Sequence, residues 1–242
     1  MAKLLLLLSA TFLTVTATEN PFGSDDCQEG EPKCPPGYKF FERADDRAWC
    51  LKYFAGNYTF FEAEQVCRCQ GGATLSGVDN TNELLWIEDQ ATQSFEQLGI
   101  KNGGVWVGAY RRHDCMGPVE KWINKTECSK VYQFQWTDRN TVKTYMWEKM
   151  WMEGSPHNNI VGNHSENCVQ LQISLEEQGT ANRKLHGTFD NRICVHRNES
   201  STFHTEGFVC GRPPKYPGGG HGYSGGDGQI LIIGAGKPTK KP

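Results

Sequence analysis

The sequence predicts an α+β fold in which two helices are followed by antiparallel strands and a long loop region, with disulfides tying the chain together. Two segments in the first half carry apolar residues at helical intervals. The second half alternates between short strand-like runs and long polar stretches, which is typical of an α+β domain. The chain of 242 residues also contains 10 cysteines, a number that suits an exported, disulfide-bonded protein.

The N-terminus has the features of a secretory signal peptide. Lys3 precedes an apolar run over residues 4–8, and Val15 and Ala17 are small enough for the positions that signal peptidase reads. Residues 1–17 are therefore expected to be removed on export. The apolar run is too short for a membrane anchor, and no later stretch of the sequence resembles a membrane span.

Charge and glycosylation signals narrow the classes of function. The net charge is −3 and no block of basic residues occurs, which argues against nucleic acid or an anionic membrane as a partner. Four N-glycosylation acceptor triplets begin at Asn57, Asn124, Asn163 and Asn198. In an exported chain, such triplets predict glycosylated surface loops and a secreted, extracellular location.

The domain opens with strands after a polar lead-in. Residues 18–33 are polar and acidic and contain Pro and Gly, so they predict an extended segment before a domain that spans residues 34–212. Aromatic residues alternate roughly with polar ones over residues 38–41 and 49–54. These runs are bounded by turn residues and predict two strands.

Two helices come next. The first is predicted to start at Thr59, whose hydroxyl caps the helix while Glu62 reaches back in a capping box; a glycine pair at 71–72 ends it. The second begins near Asn80 and carries apolar residues at helical spacing up to residue 98. Gly99 is its predicted stop.

The second half predicts strands separated by long loops. Strand-like runs cover residues 106–110, 168–173, 194–195 and 207–210. An aromatic stretch over residues 145–152 lies in the loop region, and Trp147 within it is open to either a core or a binding role. Trp136 and Trp151 are interpreted as core residues, because tryptophan is buried on average.

The C-terminal residues 213–242 predict a flexible tail. Their composition is dominated by Gly, Pro and Lys, which do not build a packed core. Glycine-rich motifs in this tail imitate a dinucleotide-binding loop. The strand–loop–helix context that such a loop requires is missing, so the tail reading is favoured.

These motifs, taken in order, resemble the long form of the C-type lectin-like domain, which carries an extra N-terminal cysteine pair. The resemblance covers residues 34–210. It rests on Cys-Pro-x-Gly-Tyr at 34–38, Trp-Val-Gly-Ala at 106–109, Trp-x-x-Gly-x-Pro at 151–156, Glu-Asn-Cys-Val at 166–169 and Phe-Val-Cys at 208–210. Each motif alone is weak, and their order and spacing carry the resemblance. The chain is most similar to the secreted nematode members.

The resemblance implies a pairing of the cysteines that spacing alone leaves open. The implied pairs are Cys34–Cys50, Cys67–Cys210, Cys168–Cys194, a local Cys115–Cys128 pair, and Cys27–Cys69, which would tether the lead-in to the first helix.

The resemblance also implies a carbohydrate-binding function, with glycans of microbial surfaces and a role in innate immunity as the expectation. In sugar-binding members, a calcium ion held by oxygen ligands completes its coordination with sugar hydroxyls. The candidate carbohydrate contacts here are Ser155, His157, Asn158, Glu166, Asp190 and Asn191. Glu166, Asp190 and Asn191 are also the candidate calcium ligands.

Two departures from the family pattern leave open whether this loop binds calcium. Ser155 and His157 stand where the family has acidic or amide ligands, and a histidine nitrogen is a poor ligand for calcium. Glu153, Asn158 or Asn159 would substitute if the loop shifted. The alternatives are calcium-dependent glycan binding, or calcium-independent binding of a protein or lipid by a loop held together by its own hydrogen bonds.

Catalysis is not expected. The sequence has no nucleophile elbow and no paired-histidine metal helix, and the spacing of His157 and His164 fits no common zinc pattern. Glycans or a cell-surface or extracellular protein are therefore the expected partners.

Overall fold

A computed structural model describes residues 31–142, 145–161, 164–195 and 202–216. The predicted signal peptide, most of the lead-in and most of the tail lie outside the described residues, as do Cys27, Asn163 and Asn198. Within the described ranges, no helix has the length and apolar character that a membrane span would need.

The described residues form helices, strands and short 3-10 turns in an α+β arrangement, as predicted. In chain order these are β1 (Lys39–Arg43), β2 (Arg47–Ala55), α1 (Phe60–Cys69), β3 (Thr74–Leu75), α2 (Thr81–Leu98), β4 (Asn102–Arg111), β5 (Phe134–Trp136), α3 (Tyr145–Met150), β6 (Ile160–Val161), β7 (His164–Ser165), β8 (Cys168–Ser174), β9 (Phe189–Arg192) and β10 (Thr205–Arg212). Four of the 3-10 turns fall between β4 and β5, in the segment that we call the insert (residues 113–133).

One sheet organises the described part of the chain. Its strand order is β1-β2-β10-β4-β8-β9, with β3 added at β10 and β5 at β4, and β6 pairs with β7 in a separate hairpin. The strands pair antiparallel as predicted, except that β10 runs parallel to β4. Lys33 and Lys215 form a further antiparallel bridge, just outside the predicted domain limits.

Local sequence explains where both predicted helices begin and end. The Thr59 hydroxyl accepts the Glu62 N–H at 3.3 Å, and the Glu62 carboxylate accepts the Thr59 N–H at 2.9 Å, so the capping box is confirmed. The Asn80 side chain accepts from the Glu83 N–H at the start of α2. Gly99 ends α2 with φ +69°, a left-handed conformation that glycine adopts without steric cost.

The core lies between the sheet and the two long helices. Every residue of β8 is buried, and Trp106 of β4 is fully enclosed. Gly108 of β4 allows a close approach, because a Cβ at this position would lie 2.1 Å from the Leu75 carbonyl oxygen. Trp136 and Trp151 pack against the core as expected, although each is only partly buried.

Four of the five implied disulfides are present. They are Cys34–Cys50, Cys67–Cys210, Cys115–Cys128 and Cys168–Cys194. Cys69 is exposed and forms no disulfide with any described residue. Since Cys27 lies outside those residues, the Cys27–Cys69 pair stays a prediction.

Two local predictions are wrong. Part of the aromatic loop stretch is a short helix, α3, which makes three helices rather than two in the described chain. Residues Cys194 and Val195, predicted as a strand, form a turn. After β9 the Cys194 carbonyl accepts the Phe60 N–H at 2.9 Å, at the first turn of α1, instead of pairing with a strand.

Candidate functional site

The candidate site lies where β9 and the end of β4 meet the long loop, which we define as residues 154–167 with residues 162 and 163 outside the description. The loop begins beside β9, since the Met152 N–H donates to the Phe189 carbonyl at 2.9 Å. Its Ser155–Pro156 peptide bond is cis. All six predicted binding residues come together here.

Asn191 of β9 ties the two sides of the long loop together. Its side-chain oxygen accepts the His157 N–H at 2.6 Å, and its amide nitrogen donates to the backbone oxygens of His157 and Glu166 at 2.9 and 3.1 Å. The side chain is fully buried. Both the oxygen and the nitrogen of this amide therefore form hydrogen bonds within the protein.

Asp190 is also engaged by protein groups. The Ser155 hydroxyl donates to one carboxylate oxygen at 2.8 Å, and Arg192 lies 3.0 Å from the other in an ion pair. His157 Nδ1 lies 3.6 Å from the first oxygen. A buried carboxylate thus has a hydroxyl donor and a guanidinium close to it, which is how a buried charge is normally compensated.

Glu166 lies in a half-buried position close to Asp190. Burial raises the pKa of the Glu166 carboxyl and the Asp190 carboxylate raises it further, whereas His157 and Arg192 act in the opposite direction. Its Oε2 is 3.5 Å from the Asn191 amide nitrogen. The folded state therefore favours the protonated form of this side chain more than water does.

Arg111, at the end of β4, is a site residue that sequence reasoning missed. Its guanidinium donates to five oxygens, all from the long loop or the insert: Asn167 Oδ1 at 3.1 Å, Asn158 Oδ1 at 3.0 Å, the His157 and Glu166 carbonyls at 2.6 and 3.1 Å, and Gln133 Oε1. The only signal in the sequence was a basic residue closing an otherwise apolar strand.

Arg111 is a buried cation with an aromatic neighbour. Its side chain stacks over the Phe134 ring, with Cζ 4.6 Å from the ring centroid. Burial lowers the pKa of Arg111 to about 10, so the guanidinium stays charged at neutral pH. A single fixed cation therefore organises both sides of the long loop.

The residues present do not fit calcium, which needs six to eight oxygens with negative charge to replace its hydration water. The Asn191 oxygen and one Asp190 oxygen accept hydrogen bonds from the protein, and Arg192 forms an ion pair with the other Asp190 oxygen. Within the described residues, no group of three or more His, Cys, Asp or Glu side chains is arranged to hold a metal ion. The hydrogen-bonded loop is the alternative that this geometry favours.

Replacing Glu166 tests this conclusion. Because the pKa of Glu166 is raised in the folded state, its contribution to stability is greatest below about pH 4, the unfolded value, and falls as the pH rises through the folded value. Glu166→Gln mimics the protonated form and is expected to be at least as stable as the wild type in urea at about pH 7, with the advantage lost near pH 4.

The exposed carboxylate of Glu96 on α2 provides the matched control, since Glu96→Gln removes one charge away from the site without touching the buried network. A clear loss of stability for Glu166→Gln at neutral pH, beyond that of Glu96→Gln, would contradict this conclusion and would suit a carboxylate needed as a metal ligand.

Of the predicted glycosylation sites, two fall within the described residues. Asn124 is exposed on the insert, and Asn57 is half-buried just before α1.

The chain is similar to one protein family, to a curated relative and to solved structures. A family model described as C-type lectin domain-containing protein 141/158 matches residues 42–213. C-type lectin domain-containing protein 158 of Caenorhabditis elegans is 27% identical over 194 residues, covering 76% of this chain and 90% of that protein. The carbohydrate-recognition domain of cow CD23 is 19% identical with a TM-score of 0.45, covering 75% of this chain and 97% of the other. Human lithostathine is 17% identical with a TM-score of 0.46, covering 78% and 99%.

The family match spans well over half of the chain and confirms both the resemblance found in the sequence and the C-type lectin-like fold. The chain belongs to the C-type lectin domain-containing protein 141/158 family.

Proposed function

We propose that the protein is a secreted binding module that recognises carbohydrate without calcium, through the long loop and the strands that hold it. Membership of a C-type lectin domain family supports binding rather than catalysis. Four disulfides support an oxidising, extracellular environment, with residues 1–17 removed on export. The ligands that we propose are glycans of microbial surfaces, the class expected from the family resemblance of the sequence.

The observation that carries the calcium-independent part is the occupation of the loop oxygens by protein donors. Arg111 donates to four of them and to Gln133 Oε1 of the insert, and Asn191 joins the two sides of the loop. A loop that is ordered by internal hydrogen bonds needs no ion to adopt its shape, and preorganisation lowers the entropy cost of binding a ligand.

We expect the purified protein to bind the same glycans on an array in calcium and in EDTA. We also expect its melting temperature to be equal in the two buffers, because an ion that binds only the folded state would raise it. A calcium-dependent lectin on the same array controls for the chelator. Retention lost in EDTA, together with a melting temperature raised by calcium, would refute calcium independence.

A second candidate is a calcium-independent protein ligand. Large apolar side chains are exposed on the insert and the long loop, namely Ile123, Tyr132 and Ile160. Exposed aromatic and aliphatic side chains of this kind anchor protein interfaces. An array that stays blank in both buffers would overturn carbohydrate recognition and favour this candidate.

A further inference from the structure

A groove of about 490 Å³ lies between the insert and the long loop. It sits beside the six predicted binding residues and shares only Asn158 with them. The side chains that matter for its chemistry are Val119, Glu120, Asn158, Ile160, Ser165 and Asn167. The groove therefore combines apolar surface with amide, hydroxyl and carboxylate groups, which is the usual make-up of a small-ligand site.

The insert forms a firm wall. Its Cys115–Cys128 disulfide and the buried Trp122 make a small apolar cluster of their own, against which Val119 packs. The Trp122 indole N–H donates to the Gly117 carbonyl at 3.2 Å. The insert is therefore held in shape by contacts within itself.

Arg111 fixes the orientation of two amides at the groove. Its guanidinium donates to the side-chain oxygens of Asn158 and Asn167. Because an arginine can only donate hydrogen bonds, the oxygen of each amide must face Arg111 and its nitrogen must face away. The two amide nitrogens make no hydrogen bond to any described residue. They are donors held in known orientations, beside the exposed side chain of Ile160.

We propose that this groove binds a neutral saccharide, with the amide nitrogens of Asn158 and Asn167 donating to hydroxyl or acetamido oxygens. Val119 and Ile160 offer apolar surface to the C–H face of a sugar ring. The exposed carboxylate of Glu120 accepts from sugar hydroxyls and repels anionic ligands. Arg111 is already saturated by protein oxygens, so among the lining residues no unpaired guanidinium or ammonium selects phosphate or sulfate.

This inference rests on the proposed function and adds the place and the class of the ligand. It predicts that neutral oligosaccharides bind in EDTA in preference to their sialylated or sulfated counterparts. An array that carries matched neutral and anionic glycans measures this preference. Equal or stronger binding of the anionic set in EDTA would overturn the assignment of a neutral ligand.

Ile160→Asp tests the location of the site, with Leu98→Asp at the end of α2 as the matched control. The two side chains are 64% and 61% exposed, so neither change disturbs the core. For the best neutral glycan found on the array, we expect Ile160→Asp, which removes the apolar contact, to weaken binding about tenfold or more, and Leu98→Asp to leave it unchanged. Equal affinities of the two variants would overturn the groove, while wild-type binding in EDTA would still uphold the proposed function.

Asn158→Asp tests the donor. An aspartate retains an oxygen for Arg111 but replaces the amide nitrogen with an acceptor. We expect the melting temperature to be retained while affinity for the same glycan falls about tenfold, the effect of losing one hydrogen bond to a ligand. Unchanged affinity with unchanged melting temperature would overturn the role of Asn158. Wild-type protein that binds no glycan in EDTA would overturn the proposed function and, with it, this inference.

Discussion

A chain carrying Cys67→Ala and Cys210→Ala is expected to lose about 5 kcal/mol of unfolding free energy, because this disulfide closes a loop of 143 residues. In the chain-entropy account, the crosslink stabilises the protein by restricting the unfolded state. The same bond fastens α1 to β10, whose backbone pairs with β2, β3 and β4. Urea denaturation of the oxidised wild type and the double variant measures the difference.

The pair Cys34→Ala and Cys50→Ala is the control. Its loop spans 16 residues, so the same account gives about 3 kcal/mol. We therefore expect the longer loop to cost more. An equal or smaller loss for the Cys67–Cys210 variant would contradict the chain-entropy origin of the stabilisation.

The second large effect is expected for Arg111→Met. Methionine fills much of the space but leaves five oxygens, four of them on buried or half-buried residues, without their donor, so we expect a loss of about 3 kcal/mol or more. The long loop should also become a preferred site of limited proteolysis, because Arg111 holds both of its sides. Urea denaturation and cleavage mapping measure the two effects.

Arg112→Met is the matched control for this change. Arg112 is exposed and donates to the Tyr132 carbonyl at the surface, so its loss is expected to stay within about 0.5 kcal/mol. Arg111→Lys should fall between the two variants, because lysine keeps the charge but lacks the planar fork of donors. Similar stabilities for Arg111→Met and Arg112→Met would show that the buried guanidinium does not order the loop.

Local chemistry made much of the fold predictable. The capping box at Thr59, the Asn80 cap and Gly99 act within one or two helical turns, so they can be recognised from neighbouring residues. Alternation predicted β8 for a similar reason. Helix α3 was not predictable in this way, because six residues are too few to show a helical period.

The turn at Cys194 shows a different limit. A cysteine followed by valine resembles the start of a strand. Its backbone oxygen instead serves the first turn of α1, which lies far away in the sequence. The residues around Cys194 in the sequence give no sign of this hydrogen bond to α1.

The amino-acid sequence by itself determined the two long helices, the main strands, the family and the grouping of Glu166, Asp190 and Asn191. Only the tertiary structure decided which protein groups form hydrogen bonds and ion pairs with the side-chain oxygens of these three residues. The partners of Arg111 lie 22 to 56 residues away along the chain, and Asp190 meets Ser155 across 35 residues. Whether an oxygen is free for calcium or taken by a guanidinium depends on contacts of about 3 Å between such distant segments, because hydrogen bonds weaken steeply beyond that separation.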